Sequence, residues 1–93
     1  MSEFFYRVKK GESIESVSDK FFIPEYYVIG KNNLKSDLYE GEIILLKKSG
    51  TVYVVKVGET LDKILEKFNL TKEIFYSLNY TFTVFPDQKI YID

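Results

Sequence analysis

Tyr6-Arg7-Val8-Lys9-Lys10-Gly11-Glu12-Ser13-Ile14 returns 47 positions later as Tyr53-Val54-Val55-Lys56-Val57-Gly58-Glu59-Thr60-Leu61. An echo at that distance signals duplication of a whole structural unit. It also extends beyond the nine residues. At the same offset Val17 meets Ile64, Lys20 meets Lys67, Phe21 meets Phe68, Ile23 meets Leu70 and Asn32 meets Asn79. After the loss of one residue, Ile44-Leu45-Leu46 falls on Ile90-Tyr91-Ile92. Apolar positions are kept while most polar ones vary, as expected of two copies of one core. The chain therefore divides into a first repeat over residues 1–47, a polar linker over 48–51 and a second repeat over 52–93.

Within each copy the pattern switches period. Tyr6, Arg7, Val8 and Lys9 alternate apolar with charged, which predicts a half-buried strand with Tyr6 and Val8 on one face. Gly11 ends it, and Ser13 is placed to cap a helix over residues 14–22, with Glu15 in its first turn near the positive end of the helix dipole. Ile14, Val17 and Phe21 then form one apolar stripe. Pro24 stops that helix and opens a second over 24–31, offering Tyr27, Val28 and Ile29 to the core. Gly30 weakens the expected last turn, and Asn32 and Asn33 end it because Asn tolerates left-handed geometry. A loop leads to a closing strand over 42–47. The second copy repeats the scheme: a strand over 52–56, Gly58 as turn, Thr60 as cap, a stripe of Leu61, Ile64, Leu65 and Phe68, then a helix over 72–78 with Ile74, Phe75 and Leu78 inward. A last strand covers 89–92. A two-stranded sheet is not stable alone in water, so both helices must pack on one of its faces. The expected fold class is α+β, two tandem βααβ units, and so short a linker keeps them in or near contact.

Composition narrows the functional classes. Hydrophobic content of 45%, with eight Tyr and eight Phe, is enough for a folded core in units of this size. Thirteen Lys and Arg against 14 Asp and Glu leave no basic face for phosphates, so nucleic acid is not the expected partner. The longest aliphatic run, Ile43-Ile44-Leu45-Leu46, is far short of the ~20 residues of a membrane span. With neither His nor Cys, thiol chemistry and the usual metal-ligand spacings are absent, and no cofactor is implied. Glu12 and Glu59 could be paired as glycosidase carboxylates, but they occupy equivalent positions of separate units. No enzymatic activity is expected. The first residues lack a basic and apolar leader pattern. The expected location is therefore cytoplasmic, or mother-cell and spore-associated, or the cell wall if the sequence is a trimmed fragment.

Tyr-x-Val-x-x-Gly-Glu-(Ser/Thr)-(Ile/Leu), an apolar helix, a second helix ending in Asn and the closing strand together resemble the LysM domain, twice over, from Tyr6 to Ile92. The resemblance implies non-catalytic binding of glycans containing N-acetylglucosamine, such as peptidoglycan, spore cortex or chitin-like oligomers, in a wall-anchoring or assembly role. It places a shallow groove between the strand–helix turn and the loop after the second helix. On this chain the first groove would be Gly11, Glu12, Ser13 and Ile14 facing Leu34, Leu38 and Tyr39. The second would be Gly58, Glu59, Thr60 and Leu61 facing Phe82, Val84 and Phe85. An N-acetyl group needs a backbone donor and acceptor for its amide and a small apolar recess for its methyl, which Ile14 or Leu61 could line.

The same residues also carry plainer readings. Gly11 and Gly58 serve as turn glycines, Ser13 and Thr60 as caps, Glu12 and Glu59 as solvated or local capping charges, and Asn32 and Asn79 as helix terminators. Tyr39, Tyr80, Phe82 and Phe85 form either a glycan platform or a packing surface. The alternative function that follows is a protein-interaction or structural assembly module that keeps the fold without binding sugar.

Overall fold

The structure is a computed structural model that describes residues 3–93. Met1 and Ser2, the first residues of the expected first repeat, lie outside the described residues. The element order is β1 (Glu3–Arg7), α1 (Ile14–Phe21), α2 (Glu25–Lys31), β2 (Ile43–Lys47), β3 (Val52–Val54), α3 (Leu61–Phe68), α4 (Lys72–Asn79) and β4 (Lys89–Tyr91). β1 pairs antiparallel with β2, Tyr6 opposite Ile44, and β3 pairs antiparallel with β4, Tyr53 opposite Ile90. The chain is thus two βααβ units, as the repeat implied. The first strand starts earlier than the alternation suggested, because Phe4 and Phe5 extend it and find Leu46 and Leu45 across the ladder.

Capping explains the helix limits. Ser13 Oγ accepts from Ser16 N and Ser16 Oγ accepts from Ser13 N, a reciprocal cap at the start of α1. Thr60 and Thr71 cap α3 and α4 in the simpler way. α1 and α3 end on left-handed residues, Phe22 at φ 52° and Asn69 at φ 55°. Pro24 precedes α2 as its N-cap instead of lying within it.

Val8, Val17, Ile23, Tyr27, Val28, Leu38, Ile44 and Leu46 fill the first core, and Val55, Ile64, Phe75 and Ile90 the second. Ile74, expected to point inward, is not part of it: the residue is half-exposed, while Phe75 is buried in the second core and Leu78 packs against the first. Each fully buried Val or Ile contributes about 1.5–3 kcal/mol.

The units are also docked on each other. Tyr91, at the end of the second repeat, is buried in the first core, with its ring edge-on to Tyr27 at 5.1 Å. Burial pushes its hydroxyl up to about 12. Tyr80 lies over Gly30, where a Cβ would come within 2.2 Å of the Tyr80 Cβ. Gly30, which looked like a weak point of α2, is what lets α4 approach. Lys89 Nζ bonds Asp19 at 2.9 Å, and Lys47 Nζ sits 4.3 Å over the Tyr91 ring and donates to Asp93 O.

Candidate functional site

The strand–helix turn follows one backbone plan in both repeats. Gly11 and Gly58 stand at φ 82° and 86°, the left-handed region that glycine enters without penalty. A Cβ on either would meet nothing within 4 Å, so conformation, not space, calls for glycine there. The turn closes through Glu12 N to Lys9 O at 3.1 Å and Glu59 N to Lys56 O at 3.2 Å.

Glu12 and Glu59 do not stand free in water. The Glu12 carboxylate accepts from the Tyr6 hydroxyl at 2.7 Å and from Lys9 N at 2.7 Å, with Lys20 Nζ at 3.3 Å. Glu59 accepts from Tyr53 at 2.8 Å and Lys56 N at 2.7 Å, with Lys67 at 3.4 Å. The Tyr6 hydroxyl, then the Lys9 N–H, hold the Glu12 carboxyl below the usual range. For Glu59 the Lys56 N–H leads, and burial partly opposes it. Tyr6 and Tyr53 in turn raise Lys20 and Lys67. These side chains clamp the turn onto the strand before it and the helix after it. The signal was in the sequence: Tyr, Glu and Lys recur together at the 47-residue offset.

Asn32 and Asn79 were expected only to end helices through left-handed backbone. Asn32 has φ −105° and Asn79 is still helical; the left-handed residues are their successors Asn33 (φ 50°) and Tyr80 (φ 60°). The amide side chains instead bridge helix to closing strand. Asn32 Nδ2 donates to Leu45 O at 3.0 Å while its Oδ1 accepts from Leu45 N at 2.7 Å. Asn79 does the same with Tyr91, at 2.9 and 2.7 Å, and is buried. A primary amide is the one side chain of this length that offers both a donor and an acceptor to one residue's main chain.

The two loops expected to form each groove do come together in the first repeat, where Ile14 N donates to Asp37 Oδ1 at 2.7 Å. Leu38 N shares that oxygen at 2.7 Å. In the second repeat Thr83 stands where Asp37 does: Leu38 and Val84 each pack on their own core, and Tyr39 N–Glu42 matches Phe85 N–Gln88. Leu61 N then has no side-chain acceptor among the described residues. Ile14 and Leu61 are partly buried, and Leu34 packs against the first core. The hydroxyls of Ser13 and Thr60 accept helix N–H groups, and in the first turn the N–H groups of Glu12, Ser13 and Ile14 are themselves bonded within the chain.

The loop aromatics separate into different uses. Tyr39 is 66% exposed. Phe82 leans on Tyr76, ring centres 4.9 Å apart, with both rings about half-exposed. Phe85 faces Tyr26 of the other repeat at 6.5 Å, and Tyr80 packs between the repeats beside Tyr27. No group of His, Cys, Asp or Glu among the described residues is arranged to hold a metal ion, and no helix among them is long and apolar enough to cross a membrane.

The family model described as LysM domain matches residues 6–47 and again 53–93. The chain belongs to the LysM domain family. LysM domains bind glycans that contain N-acetylglucosamine, and the region matched here corresponds to the LysM part of larger proteins. The chain is 32% identical over 97 residues to the N-acetylmuramoyl-L-alanine amidase sle1 of Staphylococcus epidermidis, covering 91% of this chain and 30% of that protein. It is 32% identical over 90 residues to the probable peptidoglycan endopeptidase LytE of Bacillus subtilis, covering 80% and 27% respectively. The chain thus spans under a third of the length of the curated relatives it matches. Among solved structures, the Bacillus cereus spore cortex-lytic enzyme SleL aligns over all of this chain and 23% of its own, at 19% identity and a TM-score of 0.49.

Proposed function

We propose that the chain binds N-acetylglucosamine-containing glycan of the bacterial wall or spore cortex, without catalysis, and serves as an anchoring or assembly module where that polymer lies. The observation that carries this reading is the meeting of the two loops across Ile14 and Asp37, beside an apolar side chain in each turn. A half-buried Ile14 or Leu61 suits the N-acetyl methyl, whereas the first repeat's Glu12, Ser13 and Ile14 N–H groups are already bonded within the chain. In the second repeat the Leu61 N–H remains open to an acetyl carbonyl. Each groove alone binds weakly. Docking through Tyr80, Gly30 and Tyr91 holds both in a fixed relation, so a polymer that meets both gains through effective concentration.

A second reading, a protein-interaction or structural assembly module, rests on the half-exposed Tyr76–Phe82 pair and on exposed Tyr39. One titration separates the two. Chitooligosaccharides and muropeptides added to isotopically labelled protein should shift the amides of Glu12, Ser13 and Ile14 or those of Glu59, Thr60 and Leu61. Absence of localised shifts at millimolar ligand would discard the glycan reading in favour of the second.

A further inference from the structure

The first sheet has one closed edge and one bare edge. Val8 N donates to Glu42 O and Val8 O accepts from Gly41 N, so Val8 turns its main chain toward the closing strand. Along an antiparallel strand this direction alternates, which turns the N–H and C=O of Arg7 and Phe5 outward. The opposite strand agrees: Leu45, the register partner of Phe5, bonds through both main-chain groups to Asn32 and not to β1. Asn32 thus closes the β2 edge, while no strand other than β2 pairs with β1 among the described residues. We infer that the β1 edge takes a second copy of this chain, the two β1 strands running antiparallel with Phe5 opposite Phe5, so that the two sheets join into one.

The residues of β1 choose this partner. Glu3-Phe4-Phe5-Tyr6-Arg7 is aromatic through its middle, opposite in charge at its ends, and lacks the Pro or Lys that commonly guards an edge strand. Antiparallel pairing about Phe5 sets Glu3 against Arg7 of the second copy, Arg7 against its Glu3, and Phe4 against its Tyr6. Parallel pairing in register sets like charge beside like. The hydrogen-bond phase also fits, because Phe5 faces outward in both copies and the two can exchange N–H and C=O directly. Glu3 holds Lys31 through Oε2 at 2.6 Å, which leaves Oε1 for the incoming guanidinium, and Arg7 makes only a 3.4 Å contact with Gly41 O.

The two-fold axis of such a pair stands perpendicular to the sheet. Phe4 and Tyr6 therefore stay on their own cores, and both Phe5 rings come side by side on the outer face with Ile43 and Leu45. On that face Phe5 is 76% and Ile43 54% exposed. The matching face of the second sheet is already covered within the chain: Val52 and Tyr91, at the positions of Phe5 and Leu45, lie against the first core. β3 is shorter, Val52-Tyr53-Val54, with no charge to fix a register, so the self-complementary edge is that of β1.

The test is sedimentation of the full chain up to millimolar protein. So small an interface, below the ~1,200 Å² of stable complexes, should give a dimer with a Kd on the order of 10⁻⁴ M. Mixed-label NMR should show contacts from Phe5 of one copy to Phe5 of the other, and association should slow exchange of the Phe5 and Arg7 amides. Arg7→Glu alone and Glu3→Arg alone each put like charges across the pair and should weaken association about tenfold, roughly threefold for each symmetry-related contact. An equimolar mixture of the two variants should restore it, because one chain then offers only carboxylates and the other only guanidiniums; that recovery requires both variants to be folded. Phe5→Pro removes an outward N–H and no bond to β2, and should abolish the dimer while the amide spectrum of the second repeat is kept. A chain that stays monomeric at millimolar concentration, single variants that associate as before, a mixture no tighter than its components, or intermolecular contacts confined to Tyr76 and Phe82 would each overturn the inference. It needs no sugar, so its failure leaves the glycan reading as it stands.

Discussion

Replacing Asn79 with Ala should be among the most damaging single changes in this chain. Its side chain supplies both partners for the main chain of Tyr91, a donor at 2.9 Å and an acceptor at 2.7 Å, and it also donates to Phe75 O at 3.2 Å. The residue is 1% exposed, so water cannot readily take its place. Two buried main-chain groups left unpaired at roughly 1–3 kcal/mol each give a loss of about 3 kcal/mol. That is a large part of the ~5–15 kcal/mol available to a domain of ordinary stability. At roughly 4–8 °C per kcal/mol, melting should fall by about 15 °C. Asn32→Ala removes the same geometry from a half-buried position, where water can reach Leu45, and should cost about half as much. Urea denaturation followed by circular dichroism gives both values. An Asn79→Ala loss below ~1 kcal/mol, or equal losses at the two positions, would refute the idea that the amide bridge and its burial set the magnitude.

Two further perturbations test the interface and the turn. Gly30→Ala should destabilise by about 1–2 kcal/mol: the new Cβ meets the Tyr80 Cβ and Cγ at 2.2 Å, and overpacking outweighs a helix-propensity gain of ~1 kcal/mol. Chemical-shift changes should spread along both α2 and α4, and a stabilised variant would contradict the close approach. As to pH, the folded chain lowers the Glu12 and Glu59 carboxyls below 4.5, so their contribution is full above that value and is lost as pH falls through their folded values. The urea midpoint should therefore drop under acid conditions, and Glu12→Gln with Glu59→Gln should flatten that drop; an unaltered acid profile would count against the clamp.

Much of this architecture was legible in the residues because the information was local and written twice. Period-two alternation, the caps at Ser13 and Thr60 and the breaks at Gly11, Pro24 and Gly58 depend on neighbours a few positions away, and the duplication checked each reading against the other copy. The direction of Glu12 and Glu59 was less evident. Their partners Tyr6 and Lys20, or Tyr53 and Lys67, lie 6 and 8 residues off, on a strand and a helix whose relative placement a linear pattern does not give. The use of Asn79 was hidden for the same reason, 12 residues from the strand it holds.

The sequence by itself determined that there are two βααβ units, where their helices lie to within about a residue at either end, and which family they resemble, since propensity, capping and periodicity act along the chain. Only the tertiary structure decided how the units meet. That Gly30 is a docking surface for Tyr80, that Tyr91 completes the other repeat's core, and that Phe85 faces Tyr26 of the other repeat all depend on the orientation of two rigid bodies. That orientation follows from the fit of side chains far apart in the chain, and no run of neighbouring residues encodes it.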